Sequence, residues 1–497
     1  MNTANPTNEG RHPPVLAYLF FAEAWERFSF YGMRALLVLY LTKSFLFSDN
    51  TAYLIYGSYT ALVYTTPVIG GFLADRLLGF RKAVVLGGIL MALGHFAMAV
   101  QNLQVFYLAL ALLICGNGFF KPNISSIVGR LYGADDPRRD SAFTIFYMGI
   151  NLGALLAPLA CGYLGERYGW HWGFGLAGIG MLLGLVVFMR AQPLLRGVAD
   201  PPVRAPGSKK LGGVSDSAWV YLGTLASVAL AWQLVQHGSL VGSLLSVFGI
   251  GVLVAMLVFM FRLQDKVERD RLGVALLLTV ISIVFWAFFE QAGTSMSLFT
   301  DRNVDRSVFG HLIPASQFQS VNPIFILIFA PVFSALWLYL GRRRLEPSTP
   351  LKFGFGIVQL GLGFVALYFG ALTSRHTGTV PVFWLVLGYF LHSTGELCLS
   401  PIGLSMITKL SPKRVTGIMM GVWFLSSAYA QYVASLIAQL TGVKDGAGGV
   451  AGIVPKPVDT VMVYGSVFGS IAWVALGVGV LVLLVSPLIA RRMHNVN

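Results

Sequence analysis

Fourteen long apolar segments limit what this chain of 497 residues can fold into. A helix needs about 20 mostly apolar residues to cross the hydrocarbon core of a membrane, and each segment is about that long. The segments lie near residues 14–42, 51–75, 83–101, 104–131, 141–165, 171–190, 217–236, 239–261, 272–299, 317–340, 351–373, 380–408, 415–440 and 459–489. The pattern therefore predicts an all-α membrane protein with fourteen transmembrane helices.

The composition agrees with a membrane protein. Charged residues make up 11% of the chain, whereas a soluble domain carries about 25%. So little charge does not cover a water-facing surface of this size, which excludes a cytosolic enzyme, a disordered chain and a secreted disulfide scaffold. The three cysteines, Cys115, Cys161 and Cys398, fall inside apolar segments, so we expect small buried side chains rather than disulfides.

The net charge of +14 indicates membrane orientation. If the N-terminus is cytoplasmic, most of the 35 Lys and Arg residues lie in cytoplasmic segments, including the clusters at 81–82, 209–210 and 342–344. This distribution follows the positive-inside rule and places both termini in the cytoplasm. The sequence therefore predicts contact with a lipid bilayer and no binding of nucleic acid.

The chain shows signs of an internal repeat. The second and tenth segments each contain a proline and end at a basic cluster, which predicts two six-helix repeats with two additional helices between them. A stretch rich in Pro, Gly and basic residues separates the first repeat from these helices. We expect an N-terminal six-helix bundle at 14–192, a cytoplasmic linker at 193–216, two inserted transmembrane helices at 217–262 and a C-terminal six-helix bundle at 271–490.

The loop after the second segment carries a recognisable motif. Residues 71–82 read Gly-Phe-Leu-Ala-Asp-Arg-x2-Gly-x-Arg-Lys, which resembles the loop motif of the major facilitator superfamily. The resemblance implies two six-helix halves that rock around a site at the bilayer midplane. We expect Asp75 to cap the adjacent helix or to pair with Arg81 or Lys82.

Ionisable side chains interrupt several apolar segments. Each costs about 2.5–3.5 kcal/mol at the centre of a membrane helix. The seven residues are Glu23, Glu26, Arg27, Arg34, Lys121, Glu290 and Glu396. They must face one another or a water-filled cavity, and the four acids and three bases suit exchangeable ion pairs. The alternative is a set of structural pairs that only fix helix packing.

The spacing and surroundings of these charges favour a cavity. One face of the first helix carries residues three and four positions apart, which are Glu23, Glu26, Arg27, Phe30, Tyr31 and Arg34. Lys121 stands beside Pro122, and Glu396 lies between a glycine and a proline. Glu290 follows an aromatic run, and a carboxylate there that holds or loses a proton beside a movable cation suits proton coupling.

Three motifs in order carry a family resemblance. Glu23-x-x-Glu26-Arg27-Phe28-x-Phe30-Tyr31-Gly32, Phe119-Phe120-Lys121-Pro122-Asn123-Ile124 and Phe143-x2-Phe146-Tyr147-x2-Ile150-Asn151-Leu152-Gly153 resemble the signatures of helices one, four and five in proton-dependent oligopeptide transporters (the POT family). The similarity runs from about residue 15 to the last segment and includes two inserted helices that bacterial members share. It implies a symporter of di- and tripeptides with protons in a bacterial inner membrane. Phe30 replaces the first tyrosine of the family motif, so we expect only packing at that position.

A zwitterionic peptide needs a cation for its carboxylate and an anion for its ammonium group. We hypothesise that Arg27 and Lys121 hold the carboxylate and that Glu396 holds the ammonium group. Asn151 and Asn322 would bind the peptide backbone, as matching family positions do. The remaining expected substrate-binding residues are Tyr31, Tyr64, Trp286, Ser400 and Trp423, although ordinary helix packing is an equal alternative for each aromatic residue.

Two ion pairs are expected by analogy with the family, Arg34 with Glu290 near the external side and Lys121 with Glu396 deeper in. Glu23 and Glu26 flank Arg27, so a proton on either would change how freely Arg27 meets a carboxylate. These pairs and flanking acids make up the predicted gating and proton-coupling set. The sequence leaves open which acid carries the coupling proton.

Three alternatives remain beside peptide symport. A carrier of nitrate, amino acids or drugs on the same scaffold is one, although nitrate would leave Glu396 without a role. A membrane sensor that binds peptide without moving it is another. An intramembrane enzyme is the least favoured, because the segments contain no zinc-ligand His pair, GxSxG elbow or Asp dyad. We expect a monomer without metal or cofactor, with protons as the coupling ion.

Overall fold

The computed structural model describes residues 11–133, 135–200, 215–399, 403–442, 455–494 and 496. Nearly all of the described chain is helical. The α-helices, in chain order, are α1 (Val15–Lys43), α2 (Asp49–Leu73), α3 (Phe80–Met98), α4 (Leu103–Arg130), α5 (Arg138–Ala157), α6 (Tyr163–Tyr168), α7 (Trp170–Ala191), α8 (Asp216–Gln236), α9 (Gly238–Phe261), α10 (Lys266–Phe289), α11 (Ser295–Asn303), α12 (Val321–Arg342), α13 (Thr349–Thr373), α14 (Val382–Leu399), α15 (Gly403–Leu410), α16 (Thr416–Gln439) and α17 (Pro457–Arg492).

Shorter elements connect or continue these helices. They are π-helical turns at Ala74–Leu78 and Pro158–Gly162, 3₁₀ turns at Gln192–Leu195, Glu290–Gly293 and Ala315–Ser320, and the strands β1 (Val304–Asp305), β2 (Ser307–Val308), β3 (His311–Leu312) and β4 (Val380–Pro381). β1 pairs with β4 in parallel, and β2 pairs with β3 antiparallel. Such short strands close the loops that follow α11 and α13.

The fourteen predicted segments all contain helix, so the prediction of an all-α membrane protein is confirmed. Eleven helical segments of the described residues are long and apolar enough to cross a membrane. The three remaining predicted segments hold α1, α2 and α16. α1 differs from an ordinary span because it carries several charged residues in its middle.

A proline and a glycine lie at two of the helix interruptions. α5 passes into α6 through the π turn that begins at Pro158, which has no backbone N–H to donate. Gly79 separates the π turn after α2 from α3 with φ of 80°. Only glycine adopts that backbone conformation without strain.

The chain divides into two compact units. Unit 1 contains Met1–Met33, Thr66–Ala157 and His171–Trp232, and unit 2 contains Arg34–Thr65, Pro158–Trp170 and Gln233–Asn497. The division into bundles at 14–192 and 271–490 with inserted helices at 217–262 stays a prediction. Most of the predicted linker at 193–216 lies outside the described residues.

Unit 1 is held together by close helix packing around α4. The Thr66 hydroxyl donates to the Ile114 carbonyl at 2.9 Å, and a side chain at Gly70 would collide with the Gly118 carbonyl. α3 and α4 approach in the same way, because a Cβ at Gly87 would lie 2.6 Å from the Gly116 carbonyl oxygen. Small residues at these crossings let the helix backbones touch, as is common in membrane proteins.

The expected partners of Asp75 were wrong. Asp75 lies 3.3 Å from Arg130 at the end of α4, and Arg81 instead pairs with Asp200 at 2.5 Å and donates to Gln192 at 2.7 Å. Asp75 lies in the π turn Ala74–Leu78, which precedes α3. The loop motif therefore joins α2 to α4 in this unit.

Within unit 2, α9 packs against α2 and α16. Ala61, Val241, Leu245, Ala428 and Tyr432 form a buried apolar cluster there. The Tyr432 hydroxyl donates to the Gly238 carbonyl at 3.2 Å, and the Tyr432 ring covers Gly242 so closely that no side chain fits there. The three cysteines are free and buried.

We predict that Gly242→Leu lowers the thermal stability of the purified protein, because the added side chain would push Tyr432 away from α9. Overpacking of this kind costs about 1–3 kcal/mol. Thermal unfolding in detergent measures the change. Gly249→Leu is the matched control, since nothing lies within 4 Å of that position in α9, and equal losses in the two variants would contradict the packing described here.

Candidate functional site

The predicted charge cluster on α1 is buried. Glu23, Glu26 and Arg27 are 2%, 0% and 3% exposed. Arg27 donates from Nη2 to Glu26 Oε1 at 2.7 Å and from Nε to the other oxygen of Glu26, and its Nε lies 3.3 Å from Glu23 Oε1. Two carboxylates thus share one guanidinium. Within the described part of the chain, Glu23 Oε2 has no hydrogen-bond partner.

Neighbouring helices of unit 1 complete this cluster. The Asn117 amide of α4 approaches Glu26 Oε1 at 3.5 Å. A side chain at Gly153 of α5 would collide with the Ala24 carbonyl and lie 2.9 Å from Arg27 Cβ, so this glycine lets α5 contact α1 beside the charges. Below the guanidinium, Arg27 Cζ lies 5.3 Å from the centre of the Phe30 ring. Phe30 thus makes a cation–π contact as well as the packing we expected.

Unit 1 also contains the predicted site residues Tyr31, Lys121 and Asn151. Tyr31 is half-buried. Lys121 is half-buried in α4, which continues past Pro122 to Arg130. Asn151 is 8% exposed, and its amide donates to the Tyr147 carbonyl of its own helix at 3.0 Å. Lys121 is on α4 and Asn151 is on α5, and both helices contact α1 beside its charged residues. Their proposed contacts to substrate stay predictions.

The pair expected between Arg34 and Glu290 is present in unit 2. Arg34 Nη2 donates to Glu290 Oε2, and Arg34 Nε donates to the Tyr56 hydroxyl at 2.5 Å. Glu290 is 4% exposed and begins the 3₁₀ turn that ends α10. Gly293 leaves room for Tyr56 and Arg34, because a Cβ there would lie 3.3 Å from Arg34 Nη2. Sequence analysis missed Tyr56, which no local pattern distinguishes.

The 3₁₀ turn that carries Glu290 is anchored by its neighbour Gln291. The Gln291 amide donates to the Ala434 carbonyl of α16 at 2.9 Å and to the Ala287 carbonyl at 3.1 Å. The Ser295 hydroxyl donates to Gln291 Oε1 at 2.6 Å. These hydrogen bonds hold the turn that carries Glu290 against α16.

Glu396 has a polar partner in unit 2. The Asn322 amide donates to Glu396 Oε2 at 3.1 Å and to the Ser393 hydroxyl at 2.9 Å. The Ser393 hydroxyl in turn donates to the Tyr389 carbonyl at 2.7 Å. We expected Asn322 to bind a peptide backbone, and in this structure its amide is occupied by Glu396 and Ser393.

The predicted aromatic residues of unit 2 are half-buried. They are Tyr64, Trp286 and Trp423. The Trp286 ring meets the edge of Phe289 at 5.2 Å between ring centres, and Gly403 leaves space for the Trp423 ring. Ser400 lies outside the described residues.

His392 is a buried polar residue that the sequence pattern did not predict as part of the site. It lies one helical turn before Glu396, is 2% exposed and has no partner for Nε2 among the described residues. Its ring centre lies 4.6 Å from that of Phe364. Gly363 makes room for the ring, since a Cβ there would collide with it.

A second group of ion pairs in unit 2 lies at the helix ends that the charge distribution assigns to the outside. Arg302 binds both oxygens of Asp49 at 2.6 and 2.8 Å, and Lys43 lies 2.6 Å from Asp301. Glu166 accepts hydrogen bonds from the Ala315 and Ser316 backbone. These contacts join segments about 150–260 positions apart in the sequence, so the sequence pattern did not predict them.

Comparison with known proteins assigns the family. The matching family model, PTR2 (POT family), covers residues 81–454. The chain belongs to the POT family. The transporter YclF of Bacillus subtilis (strain 168), described as uncharacterized, is 42% identical over 98% of this chain and 96% of its own length. The peptide transporter YePEPT of Yersinia enterocolitica is 38% identical over 88% of this chain and 90% of its own length.

The fold agrees with that assignment. A solved structure of a peptide transporter POT in complex with sulfate superposes with a TM-score of 0.83 at 39% identity, over 97% of this chain and 96% of that chain. The predicted all-α major facilitator fold is confirmed by this family assignment and structural likeness, whereas the division into two six-helix bundles and two inserted helices stays a prediction. The resemblance found in the three sequence motifs was correct.

We predict strong energetic coupling between Arg34 and Glu290. Removing one partner leaves the charge of the other buried without this counter-ion, which costs about 3–5 kcal/mol. The double variant Arg34→Gln/Glu290→Gln should therefore lose less stability than the sum of the two single losses, by more than about 1 kcal/mol. Unfolding of the purified protein by denaturant titration gives the four free energies.

The pair Arg414–Glu268 serves as the control. Its side chains are 60% and 39% exposed, and they lie 3.0 Å apart. Coupling there should stay within about 1 kcal/mol because water screens both charges. Additive losses at Arg34 and Glu290 would show that their contact does not stabilise the fold.

Proposed function

We propose that this chain is a proton-coupled symporter that imports di- and tripeptides across a bacterial inner membrane by alternating access. It acts as a monomer, has both termini in the cytoplasm and uses no metal or cofactor. Membership of the POT family supports it, as do relatives and solved structures that bear the name of peptide transporter. The proposed recognition of the peptide rests on one observation, which is that the buried Arg27 is shared between two carboxylates. A guanidinium held this way exchanges one carboxylate for another.

The carboxyl end of the peptide is assigned to Arg27 and Lys121. Arg27 binds a carboxylate with two parallel N–H donors, as its contact with Glu26 illustrates. When a peptide carboxylate replaces Glu26, that glutamate takes up a proton or loses its cation. Proton uptake by Glu23 or Glu26 is therefore linked to peptide binding, since both compete for the same guanidinium.

The amino end of the peptide is assigned to Glu396. Asn322, which also donates to Ser393, orients the Glu396 carboxylate through Oε2. The Oε1 atom of Glu396 accepts no hydrogen bond from the described residues and is assigned to the ammonium group. Asn151 and Asn322 are assigned to the peptide backbone, which every peptide shares. Since the Asn322 NH₂ group donates to Glu396 and Ser393, its side-chain oxygen would accept from a peptide N–H. Such a site tolerates many side chains, which Tyr31, Tyr64, Trp286, Ser400 and Trp423 would accommodate.

Proton coupling is assigned to Glu290 together with Arg34. Protonation of Glu290 removes the negative charge that holds the Arg34 guanidinium, while the hydrogen bond from Arg34 to the Tyr56 hydroxyl is kept. The weakened contact between α1 and α10 then opens the external gate. A second exchangeable pair, between Lys121 and Glu396, is proposed by analogy with the family. It would form when the peptide has left the site.

We predict that Glu290→Gln abolishes accumulation of dialanine driven by a pH gradient in proteoliposomes but keeps peptide counterflow. The amide imitates the protonated acid, so the proton cycle stops while the peptide still exchanges. Glu268→Gln, at the surface end of α10, should leave both activities unchanged. Accumulation at wild-type rates by Glu290→Gln would remove this residue from the proton path.

A further prediction concerns recognition of the peptide ammonium group. Dialanine should compete for uptake better than N-acetyl-dialanine in the wild-type protein. Glu396→Gln should reduce that preference by roughly 30-fold or more, since loss of a buried charge partner costs at least about 2 kcal/mol. Competition against a labelled dipeptide in vesicles measures both affinities.

The matched control is Glu346→Gln, which removes a half-exposed carboxylate that pairs with Lys352. It should keep the wild-type preference. If nitrate competes as well as dialanine and Glu396→Gln changes neither, the chain is instead a nitrate carrier on the same scaffold.

A further inference from the structure

A groove of about 390 Å³ lies within unit 2 where α9 ends, α10 begins and α17 ends. Its walls are apolar and include Met260 and Phe261 of α9, Leu277 of α10 and Leu488 of α17. Phe261, Leu277 and Leu488 are 72%, 43% and 56% exposed. In a membrane-spanning chain, exposed apolar side chains of this kind face lipid.

Two arginine side chains line the groove and could bind an anion there. Arg269 of α10 and Arg492 of α17 line it, and within the described ranges neither forms an ion pair. The acid that also lines the groove, Asp270, accepts from His494 at 3.0 Å. The next arginine, Arg271, is occupied by the carbonyls of Met493 and His494 at 3.2 and 2.9 Å.

The groove is open because of Gly273 on α10. A Cβ at this position would lie 3.3 Å from the Met260 sulfur, so a larger side chain would fill the space between α10 and α9. The volume falls within the range of about 300–1,000 Å³ that is usual for small-molecule sites. The site therefore accepts a slender apolar group.

The position of the groove along the membrane matches a phospholipid. The start of α10 and the end of α17 lie on the side that the Lys and Arg distribution assigns to the cytoplasm. The arginines are then at the level of the lipid headgroups, and the apolar walls extend toward the hydrocarbon core. Basic pockets between helices on this side bind anionic headgroups, and the planar guanidinium suits phosphate oxygens.

We propose that this groove binds one anionic phospholipid of the cytoplasmic leaflet, with its phosphate on Arg269 and Arg492 and an acyl chain along the walls of α9, α10 and α17. Free phosphate would contact only the arginines and leave the apolar walls without an occupant, which favours a lipid. The site also gives the inserted helix α9 a role, since Met260 and Phe261 form one wall.

Native mass spectrometry of the full-length protein in detergent tests the proposal, with phosphatidylglycerol and phosphatidylcholine titrated separately. The wild-type protein should bind one phosphatidylglycerol in preference to phosphatidylcholine. Arg269→Gln/Arg492→Gln should weaken phosphatidylglycerol binding about 25-fold, at about fivefold for each arginine. Arg269→Lys/Arg492→Lys keeps the charges and should retain most of the affinity.

The matched control is Arg262→Gln/Arg491→Gln, which removes the same charge from neighbouring positions that do not line the groove. It should change the affinity less than twofold. An equal loss in both double variants would show that surface charge in general attracts the lipid and would overturn the proposal, as would wild-type affinity in Arg269→Gln/Arg492→Gln.

A third variant separates a lipid from free phosphate. Leu277→Trp fills the exposed side of the groove without altering its charge, and it should weaken phosphatidylglycerol binding at least tenfold. Millimolar inorganic phosphate should not displace the lipid from the wild-type protein. If phosphate displaces the lipid and Leu277→Trp binds it normally, the arginines form a phosphate site and the lipid proposal is wrong.

Discussion

The cost of burying a charge among apolar helices governs this structure. A lone ionised side chain in a membrane helix loses its hydration, so each must be matched with an opposite charge or a hydrogen-bond partner. Arg27 lies between two carboxylates of its own helix, and Arg34 meets Glu290 and Tyr56. Such contacts neutralise the charges without removing them, so they remain available for exchange with a charged substrate.

Glycine makes this arrangement sterically possible. Gly153 borders Arg27, Gly293 borders Arg34 and Tyr56, and Gly363 borders His392. In each case the glycine belongs to a different helix or turn from the polar side chain that it borders. The absence of a Cβ lets a bulky polar group lie between helices that are otherwise in contact. At these three places the position of the polar side chain therefore depends on a glycine in a neighbouring element.

The sequence predicted what depends on local pattern. Segment length and hydropathy predicted the helices, and the spacing of Glu23, Glu26 and Arg27 predicted their shared face. The predicted partners of Asp75 were wrong because its partner is Arg130, 55 positions away on another helix. Tyr56 and the Asp49–Arg302 pair were missed for a similar reason, since their partners lie on other helices. The amide of Asn322 shows the same limit, because its neighbours Ser393 and Glu396 come from α14.

The buried cysteines have a practical consequence. Cys115, Cys161 and Cys398 are each at most 5% exposed and carry free thiols. A water-soluble maleimide reaches none of them while the protein stays folded, so the natural sequence already serves as an unreactive background. A single cysteine introduced at an exposed loop position would carry a fluorophore or spin label alone, and distances between two such labels would follow the transport cycle without prior removal of native thiols.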